Sequence, residues 1–452
     1  MKELLKKYNV PAPRYTSYPT VPYWEEASFT VSDYIDSIKR SFDESNEQEG
    51  ISLYIHLPYC ESLCTFCGCN KRITHNHSVE TPYIDRLLDE WAIYKRIFGK
   101  KPVIREIHLG GGTPTFFAPA NLEKLMKGIF EDSLLADQYE FGLEGHPNNT
   151  TYEHLKILGS LGFTRVSFGV QDNDPVVQQA INRIQPVERV EKVTEWARAL
   201  SYTSVNFDLV YGLPFQKLSS ITNTIAHTLS LMPDRLAFYS YAHVPWIKGI
   251  GQRKFTEHDL PAEDEKRHFY ETGRKLLEAG GYTEIGMDHF SLKSDSLYDS
   301  MTKGRLHRNF MGYSSNKTRL MIGLGVSSIG DSWYGFGQNL KKVEDYMNTV
   351  ERGELPVFRG HLLNEEDRYI RRKVLDVMCF GRVELSEPEW KDIQDEILQR
   401  LEGPVQDGLV EIKDRDILVT TLGRAFLRNI CMAFDARLWR KSPENEMFSK
   451  AI

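Results

Sequence analysis

Cys60-Glu-Ser-Leu-Cys64-Thr-Phe-Cys67-Gly-Cys69-Asn70 packs four of the chain's six cysteines into ten residues. It follows directly on Ile51-Ser-Leu-Tyr-Ile-His-Leu57 and Pro58, an apolar run rich in strand formers and closed by a proline. A loop at the end of a strand is where α/β enzymes keep their chemistry. Three readings compete for the thiols. A disulfide framework fits poorly, because Cys379 and Cys431 lie far away and the opening Met1-Lys-Glu-Leu-Leu-Lys-Lys lacks a secretory apolar core. A structural zinc site asks for two separated ligand pairs with a spacer between them. An iron–sulfur cluster fits better, since clustered cysteines in one loop can reach adjacent corners of one cubane, with three of them as ligands.

Outward from this loop, strand-like runs alternate with helix-period segments. The strand candidates are 51–57, 106–109, 139–143, 165–170, 204–210 and 236–241. Helical spacing appears at Ile84, Leu87, Trp91, Tyr94 and Phe98, at Leu122, Leu125, Met126 and Ile129, at Val190, Val193, Ala197 and Leu200, and at Ile221, Ile225 and Leu229. Such alternation implies parallel βα units, and six of them predict an α/β fold built as an incomplete (β/α)6 TIM-like barrel. The unusual residues fall at the strand ends: Gly110-Gly-Gly-Thr-Pro114, Glu144-Gly-His-Pro147, Gln171-Asp172, Asp208-Leu-Val-Tyr-Gly-Leu-Pro214 and Tyr241-Ala242-His243-Val244-Pro245. That distribution describes one site at one mouth. The triglycine alone is weak, lacking the Lys-Ser/Thr of a phosphate loop; its position, where a ligand can touch backbone, gives it value.

Before the barrel, residues 1–50 read as an irregular aromatic arm, with Pro11-Ala-Pro-Arg-Tyr-Thr-Ser-Tyr-Pro19-Thr-Val-Pro-Tyr-Trp24 as its proline-punctuated centre. Residues 51–360 read as the barrel with an extension. Residues 361–452 read as a mostly helical, winged-helix-like domain, its two-stranded wing turning on Lys413 to Asp416 before a helix over 422–432. The wing carries mixed charge, which favours a structural or lid role over DNA binding. A net charge of −7 without any basic stripe argues against nucleic acid as a partner. No apolar run approaches the ~18 residues of a membrane span, so a cytoplasmic location is expected, where thiols stay reduced.

Cys60-x3-Cys64-x2-Cys67, with Phe66 just before its last cysteine, resembles the radical S-adenosylmethionine (SAM) superfamily. The resemblance implies a [4Fe-4S] cluster held by Cys60, Cys64 and Cys67, whose open iron chelates SAM and passes one electron into its C–S bond. It narrows further on Pro13-Arg-Tyr-Thr-Ser-Tyr-Pro19, the extra Gly68-Cys69, Gly169-Val-Gln-Asp172, Asn182-Arg183, Gly286-Met-Asp-His-Phe290, Leu306-His-Arg-Asn-Phe310 and Arg428-Asn-Ile-Cys-Met432. With these segments the chain resembles the oxygen-independent coproporphyrinogen III oxidases nearly end to end.

The resemblance implies anaerobic decarboxylation of two propionates of coproporphyrinogen III to vinyl groups, giving protoporphyrinogen IX, with one SAM consumed for each. Tyr54, Gly111, Gly112, Thr113, Glu144, Gln171, Arg183 and Asp208 match positions that bind a first SAM; Ala242, Phe310 and Ile329 match positions near a second. Cys69 matches a cysteine implicated in activity without being a ligand. A low-potential electron donor such as flavodoxin or ferredoxin and a monomeric state are also implied. Relatives that share the barrel, heme chaperones and heme-modifying homologues, are the alternative. Two departures stand out: Glu144-Gly-His146-Pro147-Asn148 where the family usually shows Glu-x-Asp-Pro-Arg, and Met311 where relatives often carry glutamine. Because the substrate carries four carboxylates, Arg14, Lys71, Arg72, Arg305 and Arg308 are candidate partners for it. His56, His289 and His307 are candidate donors.

Overall fold

The structure is a computed structural model and describes residues 2–244, 252, 255–441 and 447–451. Pro245, the last residue of the sixth strand-end motif, lies outside the described residues. Six strands, β1 (Ile51–Leu57), β2 (Val103–Gly111), β3 (Leu134–Gly145), β4 (Phe163–Gln171), β5 (Ser204–Tyr211) and β6 (Arg235–Ser240), pair in chain order and all in parallel. Parallel neighbours need crossover connections. Helices Glu80–Phe98, Pro119–Phe130, Tyr152–Ser160, Val187–Ala199 and Leu218–Leu231 supply them, with a short helix Pro175–Ala180 ahead of the fourth.

Side chains alternate along the strands and so sort themselves between two faces. Leu53, Ile55 and Leu57 on β1 and Val205, Phe207 and Leu209 on β5 join the core beneath the helices. Tyr54 and His56, and Asn206 and Asp208, belong to the opposite face, toward the barrel interior. Among the described residues the sheet extends to twelve strands and stays open, as an incomplete barrel. A seventh parallel strand, Met321–Leu324, pairs with the outer edge of β1, aligning Gly323 with Tyr54. Antiparallel strands Ile329–Asp331, Gly335–Asn339 and Val357–Leu362 continue beyond it. On the other side, His289–Ser291 and Thr283–Gly286 follow β6.

The arm differs from the expectation of an irregular segment. Val31–Ser45 is a 15-residue helix whose N-terminus is capped by Thr30, the hydroxyl accepting from the Asp33 N–H. Tyr34, Ile38 and Phe42, spaced by four, bury one stripe in the barrel core, where Phe42 stacks on Phe98 at 4.1 Å. Tyr15 and Tyr18 enter a separate apolar cluster built from the C-terminal residues, and the Tyr15 hydroxyl donates to Asp435. Packing therefore explains the arm's tyrosines.

At the C-terminus, Glu365–Phe380 starts on an Asn364 capping box and Lys391–Arg400 follows. The wing strands Val410–Lys413 and Asp416–Val419 form as expected and gain a third strand, Arg382–Glu384. The expected helix over 422–432 divides into a 3-10 turn, Gly423–Phe426, and an α-helix, Leu427–Met432. Arg371 bridges this region to the barrel by gripping both oxygens of Asp331. Among the described residues no helix is long and apolar enough to cross a membrane.

Candidate active site

The cysteine loop hangs from the C-terminal end of β1 and is held at both flanks by backbone. Gly112 and Thr113 donate their N–H groups to the carbonyls of Leu57 and Tyr59 at 2.9 and 3.0 Å, which clamps the glycine turn after β2 onto the start of the loop. Thr65 donates to the Ile181 carbonyl and Asn182 to the Leu63 carbonyl, fixing the far side. The approach at Gly112 is too close for a side chain: a Cβ there would lie 2.5 Å from the Pro58 carbonyl oxygen and 3.0 Å from Cys60 Sγ. Gly111 has φ +114°, a conformation that favours glycine, and a Cβ on it would strike the His56 ring at 2.9 Å.

A cavity of about 180 Å³ opens between this loop and the strand ends. All four clustered cysteines line it, with Gly111, Gly112, Thr113, Glu144, Gln171, Arg183 and Asp208 from the ends of β2 to β5 and the loop after β4. Cys60 and Cys64 are buried, Cys67 half-buried and Cys69 exposed toward the cavity. The Thr113 hydroxyl donates to Cys60 Sγ at 3.3 Å. Arg183 Nη1 lies 3.6 Å from Cys64 Sγ, while its Nη2 donates to the Gly169 carbonyl at 2.7 Å and its Nε is buried without a partner among the described residues. Burial pushes the Cys60 thiol up to about 11. A hydrogen bond with Cys69, and then the Lys71 ammonium, pull Cys67 down to about 6.

Carboxylates face this thiol wall. Glu144 pairs with His108 Nε2 at 3.1 Å and is nearly half exposed to the cavity. Asp208 accepts from the Ser167 hydroxyl and the Asn206 amide at 2.9 Å each. Burial first, and the charge of Glu144 second, raise its carboxyl to about 6. Tyr54 lies beneath the cavity lining, its hydroxyl 3.1 Å from His56 Nδ1 and its ring stacked with His108. Phe310 meets Tyr54 edge-on at 4.8 Å, the Gln252 amide bridges the carbonyls of Ala242 and Phe66, Ile329 backs Gly323 beside Tyr54, and none of these three predicted residues lines the thiol cavity.

The cationic candidates separate by environment. Arg72 and Arg305 are exposed and pair with Glu344 and Asp299. Lys71 caps the carbonyls of Cys67 and Cys69. Arg14 donates to the Ser240 carbonyl at the end of β6, and Arg308 is buried. Burial lowers His56, and lowers His289 to about 4 and His307 to about 3, so all three are neutral near pH 7. Sequence reading passed over His108, Ser167 and Asn206. A signal existed for two of them: Ser167 and Asn206, like Asp208, are polar at inward positions that alternate with the outward-facing Val166, Phe168, Val205, Phe207 and Leu209.

The donors suit the groups expected here. Three cysteines in one clamped loop offer separate thiolates to one cluster. The glycine floor leaves backbone open to a ligand, and an arginine beside two carboxylates can pair with the carboxylate, ammonium and hydroxyls of an amino-acid nucleoside.

The Radical SAM superfamily model matches residues 54–227. The chain is 35% identical to the oxygen-independent coproporphyrinogen III oxidase of Pseudomonas aeruginosa, covering 100% of this chain and 98% of that protein. It is 37% identical to the oxygen-independent coproporphyrinogen III oxidase of Helicobacter pylori, over 96% of both chains. The solved Escherichia coli coproporphyrinogen III oxidase, described as a radical SAM enzyme, superposes with a TM-score of 0.89 at 34% identity, over 96% of this chain and 98% of that one. Similarity of this depth, running the length of both sequence and fold, means that the chain belongs to the oxygen-independent coproporphyrinogen III oxidase family.

Proposed function

We infer that this chain converts coproporphyrinogen III to protoporphyrinogen IX without oxygen, by oxidative decarboxylation of the propionates on rings A and B in heme biosynthesis. The observation that carries this reading is the full-length match in sequence and fold to coproporphyrinogen III oxidases. The family's cofactors are a [4Fe-4S] cluster and SAM. When bound, they would supply a radical able to take a hydrogen atom from the propionate β-carbon, and loss of CO2 with transfer of the remaining electron to a one-electron acceptor would leave the vinyl group.

The protein's own residues have defined parts in this proposal. Cys60, Cys64 and Cys67 act as the cluster ligands, with the Thr113 hydroxyl tuning Cys60 through its hydrogen bond. Arg183 pairs with the SAM carboxylate, and its buried Nε, without a partner among the described residues, supports that role. Glu144 and Asp208 take the ribose hydroxyls or the ammonium, Gln171 and Tyr54 complete the first pocket, and Gly111 and Gly112 let the methionine end lie against backbone. Ala242, Phe310 and Ile329 belong to a second SAM pocket, and Cys69, facing the cavity, serves the reaction without holding iron. We also propose a low-potential donor such as flavodoxin or ferredoxin, a monomer, a cytoplasmic location, and units at 1–50, 51–360 and 361–452. The two apolar clusters support a division near residue 361.

The test is anaerobic incubation of reconstituted protein with coproporphyrinogen III, dithionite and SAM, followed by product mass spectrometry. The reading expects loss of two CO2 and no methyl gain. Tight heme binding with no vinyl product would favour a heme chaperone instead.

A further inference from the structure

Arg308 belongs to a short strand, His307–Asn309, that pairs with Gly312–Ser314, and this register sets its guanidinium over the Tyr313 ring at 4.6 Å. The residue is only 6% exposed. Its Nε and Nη1 are buried with no hydrogen-bond partner among the described residues. A buried charged donor without a partner is costly, and native proteins rarely keep one unless something else satisfies it.

Its surroundings are cationic. Arg14, Lys266, Arg308 and Arg428 all act on one half-buried carboxylate, Asp288, in the turn beside β6. Arg14, Lys266, Arg267, Arg424 and Arg428, against the carboxylates Glu284 and Asp288, line a cavity of about 60 Å³ that also touches Tyr211 and Ser240, near the ends of β5 and β6, while Arg308 lies outside its lining. It therefore lies at the same end of the barrel as the thiol loop. Among the described residues Arg14 and Lys266 donate to neutral carbonyls, of Ser240 and Tyr241, and Arg428 to those of Ala12, Pro13, Ser449 and Lys450 and to the Ser449 hydroxyl. The positive charge thus exceeds the negative. Burial, and after it the charge of Arg14, lower Lys266 to about 8 and Arg428 to about 10. The volume is far below the ~300–1,000 Å³ of pockets that enclose a whole ligand, so it suits one arm of a larger molecule.

We propose that Arg14 and Lys266, backed by the charge of Arg308 near Asp288, form the anion receptor that holds propionate carboxylates of the tetrapyrrole while its ring occupies the barrel mouth. This rests on the reading of the substrate as coproporphyrinogen III. Arg428 ties the arm and the C-terminal segment around the receptor, and Tyr313 fixes Arg308 from below. A guanidinium offers a carboxylate two parallel donors, which an ammonium cannot copy.

The test titrates anaerobically reconstituted enzyme with coproporphyrin III, the fluorescent oxidised form of the substrate, and with its tetramethyl ester. The wild type should bind the free acid at least about tenfold more tightly, the scale of one charge-assisted hydrogen bond. Arg308→Met and Lys266→Met should each reduce the acid-to-ester preference about tenfold while leaving ester affinity unchanged. Arg308→Lys should recover part of it, and in turnover KM should rise more than kcat falls. An unchanged preference in variants that keep the wild-type cluster absorbance and melting temperature would overturn the proposal. Should Arg308→Met not fold, Lys266→Met and Arg14→Met give the same readout. A wild type that makes protoporphyrinogen yet shows no preference for the acid refutes the receptor and leaves the function standing; one that prefers the acid but makes no vinyl product does the reverse.

Discussion

Replacing Gly112 by alanine adds a single methyl at the tightest backbone approach in the site. The new Cβ would lie 2.5 Å from the Pro58 oxygen, 2.6 Å from the Pro58 carbonyl carbon and 3.0 Å from Cys60 Sγ. The first two are backbone atoms at the root of the cysteine loop, so no side chain can swing aside. Relief requires the turn after β2 to pull away, breaking the Gly112 and Thr113 hydrogen bonds to Leu57 and Tyr59. Overpacking of this kind costs about 1–3 kcal/mol. The displacement falls on Cys60 itself, so the larger effect should be on cluster retention. Gly68→Ala is the matched control, in the same loop but with nothing within 4 Å of its added Cβ. Iron and acid-labile sulfide per chain after anaerobic reconstitution, with thermal melting of the same samples, give the comparison. Gly112→Ala should lose most of its cluster and melt lower while Gly68→Ala matches the wild type. Equal cluster content in the two variants would refute the steric argument.

Three further outcomes are expected. Asp208 has a carboxyl raised to about 6 against an unfolded value near ~3.9, so the native state binds its proton more tightly and loses stability as pH rises from about 4 through about 6. Asp208→Asn should flatten the pH dependence of cluster-free melting over that window, and an unaltered profile would contradict the assignment. Phe42→Ala should destabilise urea unfolding by about 3–5 kcal/mol, since the ring is 1% exposed and stacked on Phe98; a cost under about 1 kcal/mol would detach the helix Val31–Ser45 from the barrel core. Cys69→Ser should keep the iron–sulfur absorbance and lose decarboxylation, whereas loss of the cluster would show the ligand set to be wrong.

Much of the barrel was legible because its signals are local. Each apolar run marks one strand, each following period of 3.6 marks one helix, and each strand end carries its own polar or glycine-rich signature. The cysteine spacing reads the same way, as a property of ten consecutive residues. What escaped depended on distance or on competing signals. The strand Met321–Leu324 lies some 270 residues from β1, its partner, and no periodicity reports such a pairing. The helix Val31–Ser45 carries a clear i, i+4, i+8 stripe in Tyr34, Ile38 and Phe42, but the run of prolines before it drew the whole segment toward an extended reading. Among the five cationic candidates, charge alone could not separate Arg72 and Arg305, in exposed ion pairs, from Arg308, whose strand register buries it. Lys266 joins Arg14 only through the meeting of the helix Glu263–Ala279 with the arm, more than 240 residues apart in sequence.

The most direct test of the account follows the hydrogen atom that the reaction must remove. Coproporphyrinogen III deuterated at the β-carbons of its propionates, incubated anaerobically with reconstituted enzyme, dithionite and SAM, should give protoporphyrinogen IX with deuterium recovered in 5′-deoxyadenosine and one SAM consumed per vinyl group formed. Unlabelled 5′-deoxyadenosine, or a methylated tetrapyrrole in place of the divinyl product, would contradict it.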